Sequence, residues 1–561
     1  YSLQSLRQII SKLNNKIPIV TIKDNPRFKY RGFMLDIARN FYGPKKIKQV
    51  IDVMSLLKLN YLDLRLTDDE GWRLEIPGLP ELTNVGSKRG FTRNEKNKLI
   101  PAYGSGAFGR EKGNGFLNKQ DFIEIIKYAD QLGIIVIPQI SFPSHARAAI
   151  KSMNVRYEKF ISLKKHSEAE EYWLIDPNDL SKYRSAQGYY DNVICICRES
   201  AYKFFEKVVY EIYKMYQIAE LKLIQFSIGA DEMPYGSLKG APICKDLIKN
   251  EIEINNLDQL YEKNLKKLQN ILKKYEITMS GWEDILLDHS EKSQSETKIR
   301  EENFNYEIIP YVWNNTWGEG REDMIYKFAN LGFKTVMSNS SAFYFDMTDN
   351  KDIENYGLNW SGYVDYFDTW AIDPLDIFAN QSLNLKHNLK KDYIEKKEKL
   401  NFKKRENFLG LQSQLWSETI ISNSIFDELF FPNIAFFAEK AWSKKPNWIN
   451  DLDLHIQRKK MKKDWNLFNN IIGQKFLPFI SETYKKIQFD LPKPGGVIEN
   501  NFLKLRSQFP GLTIRYSTDG SIPNNKSRKY ETPVQVFKDS LIVIRSFDSQ
   551  GRGGRSIKLI K

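Results

Sequence analysis

The sequence predicts an α/β fold of the (β/α)8 TIM-barrel class, and two observations lead to that prediction. Short apolar runs alternate with longer amphipathic helical periods, and polar or aromatic residues recur directly after those runs. Barrel strands are buried on both faces, so each should be a nearly continuous apolar run. Eight such runs lie at residues 31–37, 61–67, 134–140, 221–228, 277–282, 308–313, 334–339 and 409–416.

The first residues have a different pattern. Residues 2–13 have the spacing of an amphipathic helix and residues 17–24 that of a strand. We therefore expect residues 1–26 to be the end of an N-terminal α+β domain whose beginning is absent. The chain starts at Tyr1 and shows no signal peptide, which fits a missing N-terminal segment.

Helical periods separate the predicted strands at 45–60, 120–133 and 201–216, and others follow the last strand at 425–442 and 452–488. These residues place the barrel domain at 27–490. The Pro/Gly stretch 491–496 then predicts a linker. Residues 513–521 and 541–551 alternate like strands, so we predict a C-terminal β-sandwich of immunoglobulin-like type at 491–561.

The charge balance of the 561 residues is basic, with 84 Lys and Arg against 70 Asp and Glu, or net +14. Such a balance can indicate a polyanion partner. The lysines, however, are scattered among acidic residues on apparent helix faces, as in 264–277, so no nucleic-acid partner is predicted. No apolar run approaches the ~20 residues of a membrane span, and no pattern indicates an oligomeric state.

The three cysteines, Cys195, Cys197 and Cys244, are too few for a disulfide framework. One bridge to Cys244 in an exported protein and buried free thiols are alternatives that the sequence leaves open. The five histidines are dispersed and form no ligand cluster, so the sequence predicts no metal and no cofactor.

Candidate site residues follow the predicted strands, where the active site of a TIM barrel lies. A single Trp is more often core and a single Asp more often a helix cap, but recurrence at one end of the barrel favours a site. In chain order these residues are Arg39, Asp68, Asp69, His145, Asp231, Glu232, Trp282, Trp313, Tyr344, Asp346, Trp416 and Glu418.

Carboxylates among Trp and Tyr side chains are typical of sugar binding, because aromatic faces cover the apolar C–H side of the ring and charged groups bind its hydroxyls. Glycosidases also need a carboxylic acid that stays protonated near neutral pH. An aromatic enclosure and the neighbouring carboxylate of Asp231 both favour the protonated form of Glu232. The sequence therefore predicts a glycosidase.

The motifs resemble those of family 20 glycoside hydrolases, the β-N-acetylhexosaminidases, and within that family they look most like bacterial chitobiases. The resemblance covers nearly the whole chain. It rests on RGFMLDIARNF (31–41), LRLTDDEGWRLEIPGLPELTNVG (64–86), IKYADQLGIIVIPQISFPSHARAAIKSM (126–153), IGADE (228–232), LQSQLWSET (411–419) and the terminal YSTDGS.

The resemblance implies a retaining exo-hydrolase in which the substrate's 2-acetamido group is the nucleophile and N-acetylglucosamine-terminated oligosaccharides are the substrates. It implies Glu232 as general acid and base, and Asp231 and Tyr344 on the acetamido group. It further implies a relay of His145 and Asp68 behind Glu232, and a periplasmic, secreted or cell-surface location. The sugar-binding residues that it implies are Arg39, Trp282, Trp313, Asp346, Trp416 and Glu418, with Trp360 at the +1 sugar.

Four positions beneath the predicted site depart from the family pattern, which usually has ionisable side chains there. They are Arg65, Gln139, Ser141 and Ser227. We expect Arg65 to pair with a nearby aspartate such as Asp68, so that catalysis is kept. The alternative is a weakened enzyme or a non-catalytic carbohydrate-binding protein on the same scaffold.

Overall fold

The computed structural model describes residues 1–561 except 11–18, 20, 110, 252–253, 289–297, 301–306, 485–486, 538 and 560–561. Eight parallel strands close into a barrel, and each pairs with its neighbours in chain order. The predicted barrel and its eight strands are confirmed. The strands are β1 (Tyr30–Asp36), β2 (Tyr61–Arg65), β3 (Ile135–Gln139), β4 (Gln225–Ser227), β5 (Thr278–Trp282), β6 (Ile308–Val312), β7 (Thr335–Met337) and β8 (Phe408–Leu415).

Barrel closure joins β8 to β1, with Tyr30 opposite Gly410 and Leu35 opposite Leu415. Side chains such as Met34, Ile137 and Val336 fill the interior, so the barrel is a packed core and not a pore. The larger apolar core lies between the strands and the surrounding helices. Because the carboxyl ends of parallel strands meet at one rim, the residues that follow the strands are brought together there.

The α-helices that surround and extend the barrel are Ser2–Ile10, Pro44–Leu56, Glu81–Asn84, Lys119–Gln131, Arg147–Ser162, His166–Glu170, Glu199–Ile218, Pro242–Asn250, Leu257–Lys273, Met324–Leu331, Ser340–Phe343, Tyr366–Ala371, Gln381–Lys386, Lys391–Glu395, Asn423–Phe430, Asn433–Trp442, Leu454–Ile471 and Leu477–Thr483. Short 3-10 helices lie at Glu283–Leu286, Phe402–Asn407 and Asn447–Asn450. Within the described residues, no helix combines the length and the apolarity needed to cross a bilayer.

Two predicted helices are divided in the structure. The stretch 425–442 forms two helices that meet at Pro432, because proline has no backbone N–H to continue the first. The stretch 452–488 is helical at Leu454–Ile471 and Leu477–Thr483, with a π-helical turn at Ile472–Phe476 between them. Residues 485–486 of that prediction lie outside the described residues.

The N-terminal helix is confirmed at Ser2–Ile10 and lies against the first barrel helix, where Gln4 Nε2 donates to Ser55 Oγ at 3.0 Å. The strand predicted at 17–24 is not present at residues 19 and 21–24, which have no regular structure. An apolar pattern this short gains strand structure only when a sheet edge is available to pair with it. Residues 11–13, 17, 18 and 20 of the two predictions lie outside the described residues.

The C-terminal residues form two antiparallel sheets, as the β-sandwich prediction requires. One sheet contains Gly495–Glu499, Phe502–Arg506 and Val534–Gln535, and the other contains Arg528–Lys529, Thr513–Ser517, Ile542–Phe547 and Gly553–Leu559. Their shared core is Leu503, Tyr516, Val536, Ile542 and Ile544.

The predicted linker at 491–496 is shorter in the structure, because Gly495 and Gly496 already belong to the first strand of this sandwich. A Cβ atom at Gly496 would lie 2.7 Å from a methyl carbon of Leu559 and 2.8 Å from one of Leu505. Glycine is therefore present here because the two sheets approach each other closely, and not because the chain turns.

A disulfide joins Cys197 to Cys244, whose Cα atoms are 5.3 Å apart, and Cys195 is a buried free thiol. Both alternatives that the sequence left open are therefore realised, one for each cysteine of the C-x-C pair. The bridge connects the segment before the helix Glu199–Ile218 to the helix Pro242–Asn250, which follows β4.

Candidate active site

An open pocket lies at the rim where the carboxyl ends of the barrel strands meet. Its lining combines carboxylates, one arginine and a wall of aromatic side chains. The lining residues are Arg39, Gln187, Asp231, Glu232, Trp282, Trp313, Tyr344, Asp346, Leu358, Trp360, Trp416 and Glu418.

The loop after β4 presents two adjacent carboxylates to this pocket. Ala230 and Glu232 have φ angles of +61° and +50°, a region that residues with a side chain seldom occupy. Such strained backbone is concentrated at functional sites. The turn allows Asp231, which is 6% exposed, and Glu232, whose side chain is 29% exposed, to reach the same space.

His145 lies behind both carboxylates. Its Nε2 is 3.3 Å from Glu232 Oε2 and 3.6 Å from Asp231 Oδ2, and its Nδ1 is 3.1 Å from Asp68 Oδ1. Burial lowers the pKa of His145, but Asp231 and Asp68 raise it by more, so the net pKa is well above the usual value. The imidazole is therefore a buried cation held between carboxylates.

Arg39, which follows β1, binds four carboxylates. Its guanidinium lies 3.0 Å from Asp68, 3.3 Å from Asp36, 3.3 Å from Glu70 and 3.6 Å from Glu418. A charge this deeply buried is tolerated because it is paired and hydrogen-bonded. The network fixes the position of Arg39 at the pocket wall.

Aromatic rings form the rest of the wall and pack on one another. Ring centroids are 5.3 Å apart for Trp282 and Trp416, 6.0 Å for Tyr344 and Trp416, and 5.6 Å for Trp313 and Trp360. These separations are in the range of favourable aromatic pairs, so each ring supports the next. Trp360 is 46% exposed and lies at the mouth.

Several polar atoms at the pocket have no hydrogen-bond partner among the described residues, namely Trp282 Nε1, Glu418 Oε2 and Gln187 Oε1. Buried polar atoms in folded proteins are nearly always paired. Both donors and acceptors are therefore left for a polar ligand, which is the requirement for binding a molecule that carries hydroxyl and amide groups.

The positions that depart from the family pattern form a compensated hydrogen-bond network. Arg65 Nε donates to Asp68 Oδ2 at 2.7 Å, which confirms the predicted pair. Gln139 Nε2 donates to Asp63 Oδ2 and Ser227 Oγ, each at 3.1 Å, and Ser141 Oγ donates to the Thr67 carbonyl at 2.9 Å. Each of the four exchanged side chains therefore has a hydrogen-bond partner beneath the pocket.

Among the residues that the structure describes, two groups of side chains have the proximity that metal binding needs. Asp68, Asp69 and His145 offer ligand atoms within 4.8 Å of one another, but Arg39 and Arg65 already neutralise Asp68. The second group is Cys195, Cys197 and Cys244, of which two form the disulfide. Neither donor set therefore suits a cation in this structure.

Ten of the thirteen predicted site residues line the pocket, and the other three, His145, Asp68 and Asp69, lie behind it. Sequence reasoning missed Gln187 and Leu358, which also line it, and Asp284, whose Oδ2 accepts from Trp313 Nε1 at 2.9 Å. Gln187 lies in a long loop that follows no strand directly, and no periodicity marks it. Asp284 lies two residues after a predicted strand, which is a usable signal.

Comparison with protein families gives two matches. The glycosyl hydrolase family 20 catalytic domain matches residues 28–445, and the chitobiase/beta-hexosaminidase C-terminal domain matches residues 483–556. The two matched regions coincide with the barrel and with the β-sandwich.

Individual proteins give the same result. The chain is 32% identical to a beta-hexosaminidase of Vibrio vulnificus over 100% of its own length and 66% of that protein. It is 33% identical to an N,N'-diacetylchitobiase of Vibrio harveyi over 93% of its own length and 62% of that protein. A solved exo-beta-N-acetylglucosaminidase of Vibrio harveyi, in complex with N-acetylglucosamine, superposes with a TM-score of 0.64 at 27% identity, over 87% of this chain and 63% of that one.

The chain thus spans about two thirds of the length of these relatives. The matched catalytic domain includes every barrel strand and all the pocket residues named above. The chain belongs to glycosyl hydrolase family 20.

Proposed function

We propose that the chain is a retaining exo-β-N-acetylhexosaminidase that removes the non-reducing terminal N-acetylglucosamine from chitobiose and short chito-oligosaccharides. The observation that carries the proposal is the adjacent pair Asp231 and Glu232, with His145 behind both carboxylates and an aromatic wall around them. This arrangement supports a role for Glu232 as proton donor and for Asp231 as a second negative charge, acting on neighbouring atoms of one sugar.

In the first step, the 2-acetamido oxygen of the substrate attacks the anomeric carbon while the glycosidic bond breaks. Glu232 gives its proton to the leaving oxygen, and a cyclic oxazolinium forms. A tethered nucleophile needs no further loss of translational entropy, which favours this route. In the second step, water attacks the anomeric carbon from the face that the leaving group left. Glu232 takes the proton of this water, and the bond between the anomeric carbon and the acetamido oxygen breaks.

Asp231 orients the acetamido N–H and stabilises the positive charge that develops on the amide. It is suited to this because its carboxylate is ionised: burial raises its pKa, but Arg65 and His145 lower it by more. Tyr344 hydrogen-bonds the acetamido oxygen. Trp282, Trp313 and Trp416 are the aromatic faces that enclose the N-acetyl group and the sugar ring.

Arg39, Asp346 and Glu418 bind the ring hydroxyls of the terminal sugar. Their fixed positions support this role, since Arg39 is held by four carboxylates and Asp346 Oδ1 accepts from the backbone N–H of Trp416 at 3.1 Å. Groups that bind the hydroxyls at the closed end of a pocket admit only a chain terminus, which gives exo action. Trp360, at the mouth, stacks on the +1 sugar.

His145 and Asp68 keep Glu232 in place between its two proton transfers. The imidazolium faces Glu232 and Asp231, and Asp68 fixes its other nitrogen. We also propose that the protein works in an oxidising compartment outside the cytoplasm, because the Cys197–Cys244 bridge would be reduced in the cytosol.

The test is a set of initial rates with the 4-nitrophenyl β-glycosides of N-acetylglucosamine, N-acetylgalactosamine and glucose. We expect turnover of an N-acetylated substrate, no turnover of the glucoside, and competitive inhibition by a thiazoline analogue of the cyclic intermediate. Equal rates with the glucoside would contradict the mechanism. Thiazoline binding without any turnover would instead identify a carbohydrate-binding protein.

A further inference from the structure

Arg65 ends β2 and is completely buried beneath the pocket, where its side-chain hydrogen bonds go to other side chains. Nε donates to Asp68 Oδ2 at 2.7 Å, Nη1 donates to Gln139 Oε1 at 2.7 Å, and Nη2 donates to Asp231 Oδ2 at 3.2 Å. The guanidinium also lies 4.8 Å from the centre of the Trp416 ring. Arg65 therefore contacts Asp231, which is proposed to act on the acetamido group, the relay residue Asp68 and the aromatic wall.

A second buried arginine shows what a purely structural role looks like in this fold. Arg73 is equally buried, but its guanidinium donates to the backbone carbonyls of Ala38, Ser87 and Gly115. Bonds to carbonyls hold loops together, and none of these hydrogen bonds of Arg73 goes to an ionisable group. The bonds of Arg65 instead hold the carboxylates of Asp68 and Asp231 in fixed positions.

We propose that Arg65 is a positioning residue that keeps Asp231 ionised and oriented toward the acetamido group, and thereby extends catalysis to lower pH. This inference rests on the proposed function. A guanidinium stays protonated throughout the working pH range, so the charge beside Asp231 is constant. Its planar fork also fixes the direction in which the Asp231 carboxylate points.

The charged groups around Asp231 come from several elements. Arg65 ends β2 and Asp68 follows it, Arg39 follows β1 and His145 follows β3. More distant ionisable groups that interact with it are Asp63, Asp284, Tyr261 and Tyr344. Burial and Asp68 raise the pKa of Asp231, while Arg65 is the strongest of the groups that lower it.

Removing the Arg65 charge should therefore let Asp231 take up a proton at higher pH. A carboxyl group that loses an opposite charge within 4–6 Å typically gains about 1–3 pKa units. Because the mechanism needs Asp231 ionised, the acid limb of kcat/KM should move upward by about that amount in Arg65→Met. Arg65→Lys keeps the positive charge, so the acid limb of its kcat/KM profile should stay close to that of the wild type. Its kcat should fall, because lysine lacks the planar fork that orients the Asp231 carboxylate.

The experiment measures kcat/KM for 4-nitrophenyl N-acetyl-β-glucosaminide across pH in the wild type, Arg65→Met, Arg65→Gln and Arg65→Lys. Arg73→Lys is the matched control, and we expect it to lower the Tm without moving the limb. The pH dependence of thiazoline binding, followed by calorimetry, should shift in the same direction without depending on turnover. Arg65→Gln decides the question if Arg65→Met does not fold.

The inference would be overturned if Arg65→Met and Arg65→Gln lowered the Tm but left the acid limb of kcat/KM where it is in the wild type. Arg65 would then be a structural residue. Arg65→Lys with the wild-type kcat would overturn the orienting part. A wild-type protein that neither hydrolyses an N-acetylhexosaminide nor binds the thiazoline would instead overturn the proposed function. The two failures are therefore distinguishable.

Discussion

Replacing Glu232 by Gln tests the proton transfers of the mechanism directly. The amide has the size of the carboxylate and can keep the contacts to Gln187 Nε2 at 3.2 Å and to His145. The side chain is 29% exposed and the replacement is isosteric, so we expect the variant to fold. What the variant loses is the proton donor.

General acid–base catalysis contributes about 10²–10⁴-fold, or about 2.7–5.4 kcal/mol of activation free energy. We expect Glu232→Gln to lose that factor with chitobiose, whose leaving oxygen needs a proton. The loss in the first step should be smaller with a 4-nitrophenyl substrate, because nitrophenolate is stable without one. Substrate binding should be retained.

The assay compares both substrates, with and without azide, and identifies the products by mass spectrometry and NMR. Azide needs no general base, so it should open the cyclic intermediate in Glu232→Gln and yield a glycosyl azide of β configuration. Glu95→Gln, a carboxylate paired with Arg147 outside the pocket, is the control and should keep its activity. Wild-type turnover of chitobiose by Glu232→Gln would refute the assigned role.

Three further outcomes are expected. Trp360→Ala should lower kcat/KM for chitobiose by about 2- to 13-fold, the worth of one aromatic contact of 0.5–1.5 kcal/mol. The Tm should fall only slightly, because the ring is 46% exposed. An equal loss of kcat/KM with a substrate that lacks the +1 sugar would contradict this. Burial raises the pKa of Asp63 to about 7, so the folded state holds more protons than the unfolded state between about pH 4 and 7 and loses stability as the pH rises. Wild type should therefore lose more Tm than Asp63→Asn between pH 5 and pH 8 in scanning calorimetry, and parallel losses would refute the pKa assignment. Cys197→Ser should lower the free energy of unfolding by about 2–4 kcal/mol, measured by urea denaturation. The wild type in dithiothreitol should show the same loss. An unchanged urea midpoint in Cys197→Ser would argue against the bridge to Cys244.

The barrel was predictable because its strands are buried on both faces, and local sequence records that burial as apolar runs of six to eight residues. The site was predictable for a related reason. Each of Arg39, Asp231, Trp282 and Trp416 lies within a few residues of a strand end, so knowledge of the topology was enough to bring them together.

Other features were beyond local reasoning. Gln187 reaches the pocket from the middle of a long loop, and loop paths are set by tertiary contacts that no period in the sequence records. The absence of a strand at residues 19 and 21–24 has a similar cause, since a strand needs a partner that lies far away in the chain.

Local patterns of burial and of strand ends were enough to predict the barrel, the sandwich and the chemical types of the site residues. Which charges meet depends on the folded chain. Arg65 binds Asp231 from 166 positions away in the chain, and Arg39 binds Glu418 across the barrel closure. Coulomb energy depends on distance through space and on local burial, and neither quantity is written in the order of the residues.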